Sequence, residues 1–156
     1  MIFFFSLTIN AQKGRSISVS GDIAKPLAIQ VDDLKKYKSY TLDSLAIFNH
    51  KMEYKSTLKN LKGVLLKDVL EQAEFSVKSP KQLSEFYIVC IAEDNYKVVF
   101  SWNELFNSAT GEKTMIVTGH NELAEAKGLM LVTPTDKATG RRYVKDFAKV
   151  VIKQVK

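Results

Sequence analysis

Residues 128–155 read GLMLVTPTDKATGRRYVKDFAKVVIKQV, and this stretch is the most informative about the fold. An apolar run at residues 129–133 leads into Pro134, and a second apolar run at residues 148–155 closes the chain. Proline cannot donate to a strand ladder, so we expect the first run to end as a strand at that point. The sequence between the runs contains a glycine and several basic residues. The pattern predicts two β-strands joined by a basic turn.

Short predicted strands and short predicted helices occupy the rest of the chain. Residues 63–75, GVLLKDVLEQAEF, carry an apolar stripe at helical spacing and predict the main helix. Ser101 and Glu104 form a capping box that predicts a second short helix, and Asp32 predicts the cap of a third. Further strands are predicted at residues 16–20, 40–49, 51–57, 86–92, 96–100 and 114–118.

The order of these elements predicts the fold class. Strands and helices are mixed without the regular alternation that a parallel doubly wound sheet requires. We therefore predict an α+β fold with a mixed, largely antiparallel sheet and a few short helices. The chain has 156 residues, which suits one domain with its own core.

The first residues differ in character from the rest. Residues 1–11, MIFFFSLTINA, are uncharged and mostly apolar and end in a small residue. They predict part of a secretory signal peptide, which leaves residues 12–156 as a periplasmic or secreted domain. No Lys or Arg precedes the apolar run, and a first buried β-strand is the alternative interpretation. No stretch of the sequence is long and apolar enough to predict a transmembrane segment.

The net charge is +6, but its distribution argues against nucleic acid as a partner. The lysines are scattered, as in DDLKKYKSY at residues 32–40, and acidic residues lie among them. No motif of stacking aromatic residues accompanies them. Most of these lysines are expected on a solvated face.

The residue types that most often bind metals are sparse. Cys90 is the single cysteine, and the apolar run FYIVCIA predicts a buried core position for it. His50 and His120 each lie in a polar turn without a partner at metal-ligand spacing. The sequence therefore predicts neither a metal site nor a catalytic residue, and it contains no hydrolase or nucleotide-binding motif.

Four segments in a fixed order carry a family resemblance. They read GDIAKPLAIQVDDLKKYK, LKGVLLKDVLEQAEF, IAEDNYKVVFSWNEL and GLMLVTPTDKATGRRYVKDFAKVVI. Together they resemble the molybdopterin-binding domain of the sulfite oxidase type, in its small standalone secreted form. The resemblance covers about residues 16–155. It implies a sulfite-oxidase-type molybdopterin-binding fold, in which the full enzymes ligate molybdenum through one protein cysteine.

The cysteine ligand of that family has no counterpart at the expected place. The corresponding segment here, residues 42–56, reads LDSLAIFNHKMEYKS and contains no cysteine. Cys90 lies one predicted strand later. The resemblance also places Met130 where the family has an arginine directed toward the pterin phosphate. Molybdenum-dependent oxo transfer is therefore not the favoured expectation.

The resemblance also supplies candidate cofactor contacts. Asn95 and Tyr96 match a turn beside the cofactor pocket, and Gly140, Arg142 and Lys145 match the basic turn after the proline. By resemblance, the candidate molybdopterin-binding residues are Asn95, Tyr96, Arg142 and Lys145. Arginine can hold a phosphate with two parallel donors, and lysine adds a point charge.

Each candidate has a purely structural alternative. Asn95 tolerates a left-handed turn conformation without any ligand. Tyr96 can be a half-buried strand residue. Arg141, Arg142 and Lys145 can be solvated turn residues next to the acidic Asp136 and Asp146.

Three functions remain open on the sequence. The favoured one is a non-catalytic ligand-binding or accessory domain that takes a small anionic or pterin-like ligand. The second is a genuine molybdenum-cofactor-binding oxidoreductase subunit, with a periplasmic protein partner. The third is a protein-interaction domain whose pocket is closed by side chains such as Met130 and Phe48. The fold alone does not choose among them.

Overall fold

The computed structural model describes residues 15–119 and 128–156. The predicted signal peptide and His120 lie outside the described residues. Within those residues the strands form two sheets. The strands are β1 (Ser16–Gly21), β2 (Leu27–Gln30), β3 (Tyr40–Phe48), β4 (Tyr54–Leu65), β5 (Phe86–Ala92), β6 (Lys97–Ser101), β7 (Met115–Gly119), β8 (Met130–Val132) and β9 (Phe147–Gln154).

The larger sheet has five strands in the order β2-β1-β9-β5-β6. Strands β1 and β9 pair in parallel, whereas the other neighbours in this sheet are antiparallel. The closing strand β9 therefore lies in the middle of the sheet, between β1 and β5. Cys90 of β5 has Val98 on one side and Val150 on the other.

The smaller sheet has four antiparallel strands in the order β3-β4-β7-β8. Gly63 lies where β4 passes β7, and the register of this pair shifts beside it. A Cβ atom added to Gly63 would lie 2.1 Å from the carbonyl oxygen of Ile116. Glycine is therefore required here by the close approach of a neighbouring backbone.

The main predicted helix is shorter than the sequence pattern indicated. Residues 63–75 were expected to be helical, but helix α1 spans only Leu66–Leu70. The residues before it extend β4, because Val64 and Leu65 pair with β7. The apolar stripe is buried as predicted. Sheet pairing therefore outweighs the helical pattern over the first three residues.

The second predicted helix is confirmed, and the third begins elsewhere. Helix α2 spans Trp102–Phe106, and Ser101 and Glu104 form both hydrogen bonds of the capping box. The segment expected to be capped by Asp32 is a 3-10 helix at Val31–Lys36, which begins after Gln30 without a side-chain cap. Two further 3-10 helices span Pro80–Glu85 and Thr139–Arg142.

The alternation of side chains along the smaller sheet separates two buried clusters. Ile116 and Leu131 face a main core that also contains Ile88 and Val150 of the larger sheet. Their neighbours along the strands face a second, smaller cluster on the opposite side of the same sheet. This second cluster contains Leu45, Ile47, Leu58, Leu61, Met115, Val117, Met130 and Val132.

The architecture confirms the α+β class with largely antiparallel pairing and few short helices. The division into two sheets is a feature that the sequence pattern did not predict. None of the helices in the described part of the chain combines the length and apolar character that crossing a bilayer requires.

Candidate functional site

The basic turn after β8 is fixed against the end of β3. The hydroxyl of Thr139 donates a hydrogen bond of 2.7 Å to the carbonyl oxygen of Ala46 and accepts one of 3.0 Å from the Phe48 N–H. At Gly140, an added Cβ atom would lie 2.8 Å from the Phe48 carbonyl oxygen. The 3-10 helix Thr139–Arg142 therefore packs directly on the backbone of β3.

Arg142 is held inside the protein by two carboxylates. Its Nε and Nη2 donate to Asp136 at 2.7 and 2.6 Å, and its Nη1 donates to Glu104 at 2.9 Å. The guanidinium also lies 4.4 Å from the centroid of the Phe100 ring. Its side chain is 19% exposed, so the interpretation of Arg142 as a solvated turn residue is wrong. Three of its five N–H groups take part in these hydrogen bonds, and its predicted contact with a cofactor stays a prediction.

The hydrogen bonds around Arg142 change the acidity of a partner. Burial alone raises the pKa of Glu104, but hydrogen bonds from the Ser101 backbone and from Arg142 outweigh that effect. The pKa of this carboxyl group therefore lies below its ordinary value. Glu104 is thus an anion that links the basic turn to the first turn of α2.

An open cleft of about 570 Å³ lies on the other side of the turn. Its basic side chains come from three separate segments: His50 after β3, Lys55 in β4, and Arg141 and Lys145 around the turn. Among the described residues that line it, none is Asp or Glu. The cleft therefore concentrates positive charge, which favours an anionic ligand.

The remaining lining residues supply apolar and aromatic walls. Ile47, Gly140 and Tyr143 form part of the wall, together with the polar side chains of Asn49 and Tyr96. The Lys145 ammonium lies 5.4 Å from the centroid of the Tyr143 ring. A ligand in this cleft would meet both flat aromatic surface and cationic groups.

Ion pairs engage only some of the basic residues of the cleft. Within residues 15–119 and 128–156, neither Arg141 nor Lys145 makes an ion pair. Lys55 pairs with Glu53 at 3.2 Å, but both side chains are more than half exposed. Exposed pairs of this kind contribute only about 0–1 kcal/mol, so Lys55 can exchange its partner for a ligand at little cost.

The structure brings together only part of the candidate set from the sequence. Tyr96 and Lys145 both line the cleft. Tyr96 is 42% exposed, and its hydroxyl donates a hydrogen bond of 2.5 Å to the Arg141 carbonyl oxygen. Asn95 has a left-handed φ of 69° in the preceding turn and does not line the cleft. Arg142 faces Asp136 and Glu104 instead.

Met130 lies behind the cleft and does not fill it. Its side chain is 2% exposed within the second buried cluster. Its sulfur accepts a hydrogen bond of 3.0 Å from the Tyr143 hydroxyl, and burial raises the pKa of Tyr143. Neither Met130 nor Phe48 is among the residues that line the cleft. The predicted closure of the family's cofactor pocket by these two side chains stays a prediction, because neither side chain bears on this cleft.

The residues present do not fit the metal half of a molybdenum cofactor. Cys90 is 0% exposed, and its burial raises the pKa of the thiol, so a metal-binding thiolate is disfavoured. In the described part of the chain, no group of three His, Cys, Asp or Glu residues could hold a metal ion. The cationic cleft does fit the phosphate of such a cofactor.

Sequence reasoning missed Lys55 as a member of the cleft and treated Arg141 only as a solvated residue. Lys55 lies far from the turn in sequence and reaches the cleft because β4 pairs with β3. The pattern GRR could not show which of the two arginines faces outward. Only the carboxylates that hold Arg142 decide this.

Comparison with known proteins shows a likeness in structure alone. No protein-family model matches the chain. No curated protein sequence matches it. Among solved structures, the sulfane dehydrogenase SoxCD from Paracoccus pantotrophus is similar, with a TM-score of 0.60 and 15% sequence identity. The match covers 89% of this chain but only 38% of that one. At this identity the likeness shows a shared fold, which agrees with the fold that the sequence resemblance predicted.

Proposed function

We propose that this chain is a non-catalytic ligand-binding or accessory domain with the sulfite-oxidase-type fold. Its ligand is a small anion of the phosphorylated pterin class, held in the cleft around Arg141 and Lys145. The observation that carries the proposal is the absence of any carboxylate among the described lining residues of a cleft that contains four basic side chains, His50, Lys55, Arg141 and Lys145. The burial of Cys90 supports a role without metal ligation.

The residues of the cleft suit the two parts of such a ligand. Arg141 offers planar paired donors to a phosphate, and Lys145 and Lys55 supply compact charges. Tyr96 and Tyr143 offer aromatic surface to a flat ring. The Tyr96 hydroxyl fixes the Arg141 backbone, so the principal donor is positioned before the ligand arrives. Such preorganisation lowers the entropic cost of binding.

Calorimetric titration with a phosphorylated pterin tests this proposal. Changing Arg141 and Lys145 together to Ala removes two charged hydrogen-bonding groups, each of which contributes roughly 1.5–3 kcal/mol. We expect the affinity for the phosphorylated pterin to fall by at least tenfold, which is about the effect of losing one such group. The matched control changes Lys81 and Lys153 to Ala, because both are exposed and neither lines this cleft. This control has the same change in net charge.

Two results would count against the proposal. One is equal affinity for the phosphorylated pterin in the Arg141/Lys145 and the Lys81/Lys153 double variants. Binding would then depend on net charge or on another site. The other is equal affinity for the phosphorylated and unphosphorylated pterin. A third titration uses inorganic phosphate. The difference between its affinity and that of the phosphorylated pterin measures how much the ring contributes to binding.

A molybdenum-binding oxidoreductase subunit is the second candidate, and the likeness to SoxCD favours it. Elemental analysis of protein produced in a host that makes molybdenum cofactor distinguishes the two. The proposed non-catalytic domain should contain far less than one molybdenum atom per chain. A stoichiometric content would support the oxidoreductase subunit instead.

We also propose that the domain acts in the periplasm or outside the cell, where it would bind a protein partner. The support is the uncharged apolar run of residues 1–11. Mass spectrometry of the protein recovered from a native-like secretory host tests this location. Cleavage after Ala11 and recovery outside the cytoplasm are expected, and an intact cytoplasmic chain would contradict it.

A further inference from the structure

Strand β6 forms one edge of the larger sheet. In the described part of the chain it pairs only with β5, on one side. An edge strand presents unpaired backbone N–H and C=O groups, and a further strand can add to them.

The hydrogen-bond alternation of the β5–β6 pair identifies the outward groups. The Ala92 N–H donates to the Tyr96 carbonyl oxygen at 2.9 Å, so this pair is of the hydrogen-bonded kind. In an antiparallel ladder every second pair is of this kind. Val98 and Phe100 therefore direct their backbone groups toward β5, whereas Lys97 and Val99 direct theirs away from it.

Ser101 supports this assignment and ends the open edge. As the next outward residue, its N–H should point away from β5, and it donates to the Glu104 carboxylate at 2.8 Å. The capping box of α2 therefore satisfies the last outward N–H. The open part of the edge consists of Lys97 and Val99.

A shallow cleft of about 480 Å³ runs beside this open edge. Lys97 and Val99 line it from the strand, and Asp136, Lys137 and Arg141 line it from the loop that follows β8. The Val99 side chain is 52% exposed, which makes it one of few large apolar side chains on the described surface. The cleft therefore combines a strand edge with an exposed apolar anchor.

The charges around the edge select the occupant. Lys97, Lys137 and Arg141 make no ion pair within residues 15–119 and 128–156. The Asp136 carboxylate, the acidic member of the lining, is neutralised by two hydrogen bonds from Arg142. The available charge at this edge is therefore positive, and it is complementary to acidic side chains.

We propose that the open edge of β6 binds an extended acidic segment of a partner protein by strand addition. Backbone hydrogen bonds to Lys97 and Val99 would hold the segment. An apolar side chain of the segment would contact Val99, and its acidic side chains would face Lys97 and Lys137. Arg141 lines both this surface and the cleft around Lys145. The strand edge takes a partner segment and not a small anion, so the inference goes beyond the proposed ligand-binding function.

The test uses a capped ten-residue peptide in which glutamate and valine alternate, titrated into the full chain. Val99→Pro removes one outward N–H, and proline is tolerated on the open side of an edge strand. We expect the peptide to bind the parent and to bind V99P about tenfold more weakly. Val99→Thr keeps the N–H and the branched shape, so its affinity should stay within about threefold of the parent.

Two further arms keep the test decisive. If V99P does not fold, the backbone hydrogen bonds can be tested in the unchanged protein with a peptide in which every second backbone nitrogen is methylated. This peptide should bind about tenfold more weakly than the unmethylated peptide. Changing Lys97 and Lys137 together to Glu should weaken the glutamate peptide at least tenfold and favour a lysine–valine peptide.

Several outcomes would overturn the proposal. The first is that the glutamate–valine peptide does not bind the parent chain saturably. The second is that it binds folded V99P as tightly as the parent. The third is that the parent binds the lysine–valine peptide as tightly as the glutamate–valine peptide. Loss of peptide binding in Lys145→Ala but not in V99P would place the peptide in the other cleft. Self-association of the chain that V99P abolishes would identify a second copy as the occupant.

Discussion

Arg142 and Asp136 form a two-point ion pair, with Nε to Oδ2 at 2.7 Å and Nη2 to Oδ1 at 2.6 Å. The third nitrogen of the same guanidinium donates to Glu104, at the start of α2. One side chain therefore connects the basic turn with the helix that follows β6. This leaves the neighbouring Arg141, and not Arg142, as the arginine that lines the basic cleft.

Changing Arg142 to Ala should destabilise the fold. The change leaves the Asp136 and Glu104 carboxylates without their partner, and hydrogen bonds to charged groups contribute roughly 1.5–3 kcal/mol. We expect the free energy of unfolding to fall by about that amount in urea titrations. Arg141→Ala is the control and should change it by less than about 0.5 kcal/mol, as is usual for exposed residues. Equal effects of the two changes would contradict the distinct roles of these arginines.

Changing Thr139 to Val should loosen the turn from β3. Valine has the same shape but removes the hydroxyl that bonds to Ala46 and Phe48, so two backbone groups lose their partner. Leaving buried polar groups without partners costs about 1–3 kcal/mol. Thermal unfolding should show this loss, and Thr139→Ser should recover most of it because the hydroxyl is kept. A Thr139→Val variant as stable as the parent would contradict the role of the hydroxyl.

The depressed pKa of Glu104 predicts how stability depends on acidity. Because this pKa is lower in the folded chain than its ordinary value of 4.5, the unfolded chain takes up the proton first as the pH falls. The stabilisation is fully present above the ordinary pKa and is lost as the pH falls through the folded pKa. Glu104→Gln should be less stable than the parent at neutral pH.

The same variant should also lose less stability on acidification, since glutamine does not titrate. Urea titrations between about pH 6 and pH 3 measure both slopes, a range that spans ordinary carboxyl pKa values. Parallel slopes for the parent and Glu104→Gln would show that other carboxylates cause the acid sensitivity.

Local patterns predicted some elements well. The bounds of β5 agree with the prediction, and the Ser101–Glu104 capping box occurs as expected. Both depend on interactions within a few residues or on burial of a short apolar run. The main helix was predicted to begin too early because residues 63–65 pair with β7, a strand about fifty residues away in sequence. Pairing with a distant strand does not change the spacing of apolar residues within the segment, so this spacing cannot predict it.

The site was less predictable for the same reason. Tyr96 and Lys145 were expected to contribute, and both line the cleft. Lys55 also lines the cleft because β3 pairs with β4. Arg142 does not line it, because Arg142 is hydrogen-bonded to Asp136 and Glu104. These are tertiary relationships between segments, so the order of residues along the chain could not define them.

The proposed binding of a phosphorylated pterin in the cleft around Arg141 and Lys145 can be tested residue by residue. The most direct measurement is a titration of the isotope-labelled chain with that compound, followed by nuclear magnetic resonance. We expect saturable shifts at Lys55, Tyr96, Arg141 and Lys145, with little change at the buried Cys90. Saturable shifts confined to residues outside this cleft, or none at millimolar ligand, would contradict it.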